Sequence, residues 1–164
     1  MNLETQIGKA NDRTTLPPEL QQDGPREVRI LIVSENDSIT ERLAVALSEA
    51  DLPWERARSI TAGCEAARSG RFQVILTTPL LGDGSWRRLV DIASHYDLGF
   101  VVVLVASTFD CNQWAEALED GAFDVLDALH ELPKAAEFAK RALWAAYLKG
   151  AGPNPRAASP PKAA

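Results

Sequence analysis

The stretch Phe72–Trp86, FQVILTTPLLGDGSW, decides how the rest of the chain is read. Its first five residues, Phe72-Gln73-Val74-Ile75-Leu76, are mostly apolar, with no helical spacing, which suits a strand buried on both faces of a parallel sheet. Thr77, Thr78 and Pro79 follow, then the turn-rich Gly82-Asp83-Gly84-Ser85, which leads into a helix that Asp83 or Ser85 can cap. In open parallel sheets, ligands and chemistry gather at the carboxyl ends of the strands, so the residues at positions 77 and 78 decide what the protein can do. Both are neutral hydroxyls.

Upstream, Val28-Arg29-Ile30-Leu31-Ile32-Val33 predicts a first strand. Ser34-Glu35-Asn36-Asp37 then turns the chain into a helix capped by Asp37 or Asn36, with Ile39, Leu43, Ala46, Leu47 and Ala50 on its buried stripe. Pro53 to Arg58 alternates as a half-exposed edge strand would, and Ser59 caps a small-residue helix that ends at Ser69-Gly70. Downstream, a helix from Ser85 carries Trp86, Leu89, Val90, Ile92 and Ala93. The run Phe100 to Val105 predicts a fully buried fourth strand, and a helix from about Cys111 is ended by Gly121. Phe123-Asp124-Val125-Leu126 is a short fifth strand, and Pro133 opens a last helix running to Gly150. Strands alternating with helices through right-handed crossovers predict an α/β fold: a doubly wound, five-stranded parallel sheet in the order 2-1-3-4-5. Residues 1–26 are polar and proline-punctuated and are expected to form a disordered leader. Residues 150–164 are expected to form a disordered Pro/Ala-rich tail, which leaves 27–149 as the domain.

Composition narrows the function classes. With 164 residues, 46% hydrophobic and 24% charged, the chain suffices for one well-buried core. A net charge of −6 gives no general attraction to nucleic acid, and no local basic patch compensates, so no nucleic-acid partner is expected. Cys64 and Cys111 lack metal-ligand spacing and a nearby His, and read as packing or incidental thiols in a reducing compartment. With no amino-terminal signal and no apolar run of about 18 residues, a soluble, cytoplasmic protein without a membrane role is expected.

The apolar first strand with its acidic exit, the Pro and Asp-Gly turn after the third strand, and the small-residue exit from the fourth combine with a more specific segment. That segment is Trp114-Ala115-Glu116-Ala117-Leu118 followed by Gly121-Ala122-Phe123-Asp124-Val125-Leu126. Together they resemble the response-regulator receiver domain over about residues 27–148. The resemblance implies a flavodoxin-like, receiver-like three-layer sandwich. It also implies a phosphoryl switch, in which an aspartate after the third strand is the nucleophile and acids after the first strand help to hold Mg²⁺. A hydroxyl ending the fourth strand and a lysine ending the fifth grip the phosphoryl group. Such chemistry needs hard oxygen ligands for the metal, an anionic nucleophile, and a cation and a donor for the growing charge.

Carried over position by position, that switch is absent. Thr78 stands in the phosphoacceptor place, and a hydroxyl without a base is a poor nucleophile. Ser34 and Glu35 stand for the acid pair, leaving one carboxylate. The fourth-strand hydroxyl falls on Val105 or Ala106, with Ser107 as the nearest substitute, and the lysine falls on Ala128. Val125 replaces the aromatic that moves when such a switch closes. Glu35, Asp37, Asp83 and Asp127 are the acids that could converge as a residual metal site; as loop carboxylates capping helices they are explained as well. His95 and His130 lie on different elements with no catalytic partner, and Gly82-Asp83-Gly84 lacks the length and the lysine of a phosphate loop.

The reading that follows is a stand-alone, degenerate receiver domain, not an enzyme, acting in signal transduction by phosphorylation-independent protein–protein interaction and needing no cofactor. Its alternative is an unconventional phosphorelay response regulator retaining residual metal or phosphoryl binding, with Mg²⁺ as the metal. The expected partner is a histidine kinase, another regulator, or a second copy of the chain. Helical projection of the last helix puts Lys134, Glu137, Arg141 and Trp144 on one stripe opposite Ala135, Ala139, Ala142 and Ala146, which makes Arg141 and Trp144 the interface candidates.

Overall fold

The apolar run Ile30–Val33 (β1) is a strand buried along its whole length, and it is an inner strand of the layer that organises the chain. A computed structural model describes residues 16–17 and 27–151. After β1 come helix Asp37–Glu49 (α1), strand Trp54–Ala57 (β2), helix Ile60–Ala67 (α2) and strand Val74–Thr77 (β3). Helix Arg87–His95 (α3), strand Val101–Ala106 (β4), helix Cys111–Glu119 (α4), strand Asp124–Asp127 (β5) and helix Ala135–Ala146 (α5) complete the alternation. The five strands form one parallel sheet in the order β2-β1-β3-β4-β5, the doubly wound order that the alternating pattern predicts.

Because side chains alternate across a strand, consecutive apolar residues feed two cores at once. Ile30 and Ile32 of β1, Val74 and Leu76 of β3, and Val101, Val103 and Val105 of β4 pack with Leu43 and Leu47 of α1 and Leu143 of α5. Leu31, Val33, Ile75, Val102 and Leu104 face the other way, toward Ile60 of α2, Leu89 of α3 and Ala117 of α4. The alanines of α5, Ala135, Ala139, Ala142 and Ala146, are all fully buried, and their small side chains let the helix lie close on the sheet. Arg141 is exposed on the opposite face and Trp144 is half-buried, its ring meeting that of Tyr147 edge-on at 5.7 Å.

Three local features differ from the sequence expectation. Between β3 and α3 the chain makes a short antiparallel ribbon, Leu80–Leu81 against Gly84–Ser85, and α3 starts two residues later than Ser85. Asp83, at the tip of that ribbon, does not cap α3. Its carboxylate accepts from the Ile60 and Thr61 amides at 2.8 and 2.9 Å and so caps α2, the preceding helix. The last helix is not continuous from Pro133 to Gly150: a 3₁₀ turn, Leu132–Lys134, precedes α5, and a π-helical turn, Tyr147–Ala151, follows it. The caps expected at Asn36 and Ser59 are made, and α4 gains one that the sequence reading did not name. Asn36 accepts from the Ile39 amide and Ser59 from the Ala62 amide, while Asp110 and Gln113 make a reciprocal capping box on α4.

Of the leader expected over 1–26, Leu16 and Pro17 are described. Pro17 is buried and Leu16 packs against the core at Ile30, Leu52 and Leu143, so at these two residues the leader lies on the domain. The remainder of 1–26, and 152–164 of the tail, lie outside the described residues. Among the described residues no helix is long and apolar enough to cross a membrane.

Candidate functional site

Parallel register places the carboxyl ends of β1, β3 and β4 side by side: Val33 is opposite Thr77, and Thr77 is opposite Leu104. Position 78 therefore emerges at the centre of the carboxyl edge of the sheet, flanked by the β1 exit at Ser34-Glu35 and the β4 exit at Ser107. The Thr78 amide donates to the Val33 carbonyl at 3.2 Å, extending the ladder by one residue. The neighbouring Thr77 is buried, and its hydroxyl donates to the Thr78 carbonyl at 2.9 Å, so this hydroxyl is held by main chain.

Each acid at this edge is held by a different element. Glu35 accepts from the Gly82 amide at 2.8 Å, tying the β1 exit to the ribbon. A Cβ at residue 82 would sit 2.9 Å from the same carboxylate oxygen, so a glycine suits this close approach. Asp37 pairs with Arg56 at 2.9 Å and Arg58 at 3.2 Å. The hydrogen bond from Arg56, reinforced by the charge of Arg58, holds the Asp37 carboxyl below the usual range. Arg56 also donates through Nη2 and Nε to the Ser34 carbonyl at 3.0 and 3.3 Å, while the Ser34 hydroxyl is fully buried and accepts from the Asn36 amide. The two helix amides from Thr61 and Ile60 hold Asp83 at a pKa of about 2. Asp127 accepts from the Leu129 amide and meets Nδ1 of His130, both at 2.8 Å; the His130 contact is the main cause of its lowered pKa.

Glu35, Asp37, Asp83 and Asp127 thus serve as separate clasps, and among the described residues no three His, Cys, Asp or Glu side chains gather to hold a metal ion. The donor set does not fit Mg²⁺, which needs several hard oxygens converging in an octahedron: an arginine and main-chain amides already occupy these carboxylates, and Thr78 brings no charge. On the far side, Val105 and Ala106 of β4 are buried, and Ala128, just after β5, packs in the core with Leu132 and Ala135, so these positions bring neither a hydroxyl nor a cation to the edge. Val125 is half-buried beside an open cavity. Arg141 lies over the Phe138 ring at 4.7 Å and reaches Asp124 at 3.7 Å.

The sequence reading missed Arg56. Alternation along Trp54-Glu55-Arg56-Ala57 is visible in the sequence, but only the pairing of Ile32 with Arg56 in the folded sheet brings that guanidinium to the exit of β1. Of the thiols, Cys64 is buried, which pushes its pKa up, and Cys111 is exposed at the first turn of α4. His95 ends α3 against Tyr96.

No protein-family model matches the sequence, and no curated protein matches it. Solved structures do match. The signal receiver domain of an HD domain-containing protein from Pseudomonas fluorescens superposes with a TM-score of 0.67 at 18% identity, over 78% of this chain and 95% of that one. The beryllofluoride-activated NtrC4 receiver domain dimer gives 0.65 at 20% identity, over 72% and 98%. A CheY-like response regulator receiver domain protein from Methanospirillum hungatei gives 0.64 at 20% identity, over 74% and 98%. Strand order, layer structure and these superpositions together make the architecture of residues 27–151 that of the response-regulator receiver domain.

Proposed function

We propose that this chain is a degenerate receiver-fold protein that acts in signal transduction through phosphorylation-independent protein–protein interaction, without enzymatic activity and without a bound cofactor. The observation that carries the reading is the neutral Thr78 at the centre of the carboxyl edge, where phosphoryl chemistry on this scaffold requires an anionic nucleophile. The clasps around it support the same reading. Glu35 on Gly82, Arg56 on Ser34 and Asp37, and Asp83 on α2 already fix the loops whose position a phosphoryl group and its metal would otherwise govern. What remains for the molecule to offer is surface, and the outward face of α5 with Arg141 and Trp144 is the candidate, arginine and tryptophan being enriched at interface hot spots. The partner is a kinase, another regulator or a second copy in the cytoplasm.

The reading is tested by using the full chain and its Thr78→Ala variant as baits in the native host. The same partner should be captured by both, in the same amount. A partner held by the wild type and lost by Thr78→Ala would return the chemistry to position 78 and overturn the proposal.

A further inference from the structure

Between Arg88 and Lys134 the chain carries nine Asp and Glu residues and neither a Lys nor an Arg, whereas six arginines lie from Arg56 to Arg88. The fold turns this sequence asymmetry into a spatial one, because residues 89–133 supply α3 beyond its first two residues, Arg87 and Arg88, together with β4, α4 and β5, along one side of the sheet. Within the acidic side a cavity of about 390 Å³ opens between β5 and α4, a size in the lower range of ligand sites. Its walls are Phe109, Phe138 and Trp114, the last 45% exposed, and its floor is Ala106 and Val125. Its rim carries Asp110, Asp124, Asp127 and Glu131.

The rim acids have hydrogen bonds, but most of these leave their charge uncancelled. Asp110 accepts from the Gln113 amide, Asp124 from the Val125 amide and Glu131 from the Asp127 amide, all neutral main-chain donors. Among the described residues the only Lys or Arg within ion-pair distance of these four is Arg141, 3.7 Å from Asp124, and no cation lines the cavity. Aromatic walls suit an aliphatic stem and a cation over a ring face, and an anionic rim suits the head group.

We propose that this cavity seats an arginine or lysine side chain from a basic segment of a protein partner, with its stem against Phe109 and Trp114 and its charge among Asp127, Glu131 and Asp124. The proposal rests on the interaction-module reading and names the chemistry of the partner. The negative field of this side of the molecule steers such a segment toward the cavity, and contacts of this kind weaken with salt. A small side chain at Val125 keeps the cavity open.

The probe is an acetylated, amidated peptide, Ala-Arg-Leu-Arg-Ala, titrated into the ¹⁵N-labelled full chain, with a control in which both arginines are citrulline. The expected result is shifts of the Ser107, Trp114, Val125 and Glu131 amides, binding at least about tenfold weaker for the citrulline peptide, and loss of affinity with salt. Val125→Tyr, which fills the cavity without touching a charge, should weaken binding by a similar factor. Glu131→Gln, which keeps an acceptor for the Asp127 amide, should do so through charge alone, and so keeps the test decisive if the tyrosine variant does not fold. Equal binding by the citrulline peptide, full binding to both variants, or shifts confined to other surfaces would overturn the proposal. So would pocket signals that move with protein concentration alone, which would make a second copy the occupant. Failure here leaves Thr78 neutral and the broader reading intact, whereas phosphorylation at Thr78 would remove the broader reading whatever the peptide does.

Discussion

At the scale of single residues, the acidic side chains at the carboxyl edge of the sheet hold neighbouring loops and helices in place. Asp83 is the clearest: two helix amides hold its carboxylate, and its pKa falls from the ordinary 3.8 to about 2. A group whose pKa is depressed by folding contributes stability that is fully present above 3.8 and is lost as pH falls toward 2. Asp83→Asn accepts through one oxygen and carries no charge. It should therefore unfold at lower urea than the wild type at neutral pH, and the difference should shrink as the pH is lowered through that window. A constant difference at every pH would mean that the carboxylate charge contributes nothing. Ser34 and Thr77 make a similar point with buried hydroxyls: each is tied to nearby main chain, which removes them as ligands and accounts for a polar residue in a buried place.

At the scale of elements, close approach decides which residues are tolerated where helices meet. Gly121 follows α4 with φ at +116°, and a Cβ there would lie 2.7 Å from Cγ1 of Val90 on α3. Gly121→Ala should cost about 1–3 kcal/mol in a denaturant titration, since both the backbone conformation and the contact resist the methyl group. A loss below this range would show that α3 and α4 can separate cheaply. The strands were legible in the sequence because Ile30 to Val33, Val74 to Leu76 and Val101 to Val105 are apolar on both faces, which only a covered parallel sheet explains. The α5 packing face was legible for the same kind of reason, its alanines recurring at helical spacing. The ribbon at Leu80–Ser85 was not, because two-residue strands carry no periodicity. The α2 cap by Asp83 could not be read either, because local spacing offers the nearer helix, and only tertiary folding brings residue 83 to residue 60. The same limit hid Arg56: its partners Ser34 and Asp37 are neighbours across a strand pair, not along the chain.

At the scale of the whole molecule, two cores share one sheet, so each layer loses its partner if the sheet opens, and the domain should unfold in one cooperative step. The leader contributes through its contact at Leu16. Leu16→Ala in the full chain should lower stability by about 1 kcal/mol, the scale of a partly buried leucine giving up apolar contact, and an unchanged denaturation midpoint would show that the segment adds nothing to the fold. The receiver architecture marks where chemistry would occur, and in the reading proposed above the residues found there withdraw it: a neutral Thr78 at the centre, carboxylates clasped to amides and arginines, and a buried Ala128 where a lysine is expected. That withdrawal is the central claim, and it is tested most directly by incubating the full chain with acetyl phosphate and Mg²⁺ and measuring its intact mass. The mass should remain that of the unmodified protein; a gain of one phosphoryl group that disappears in Thr78→Ala would contradict the account.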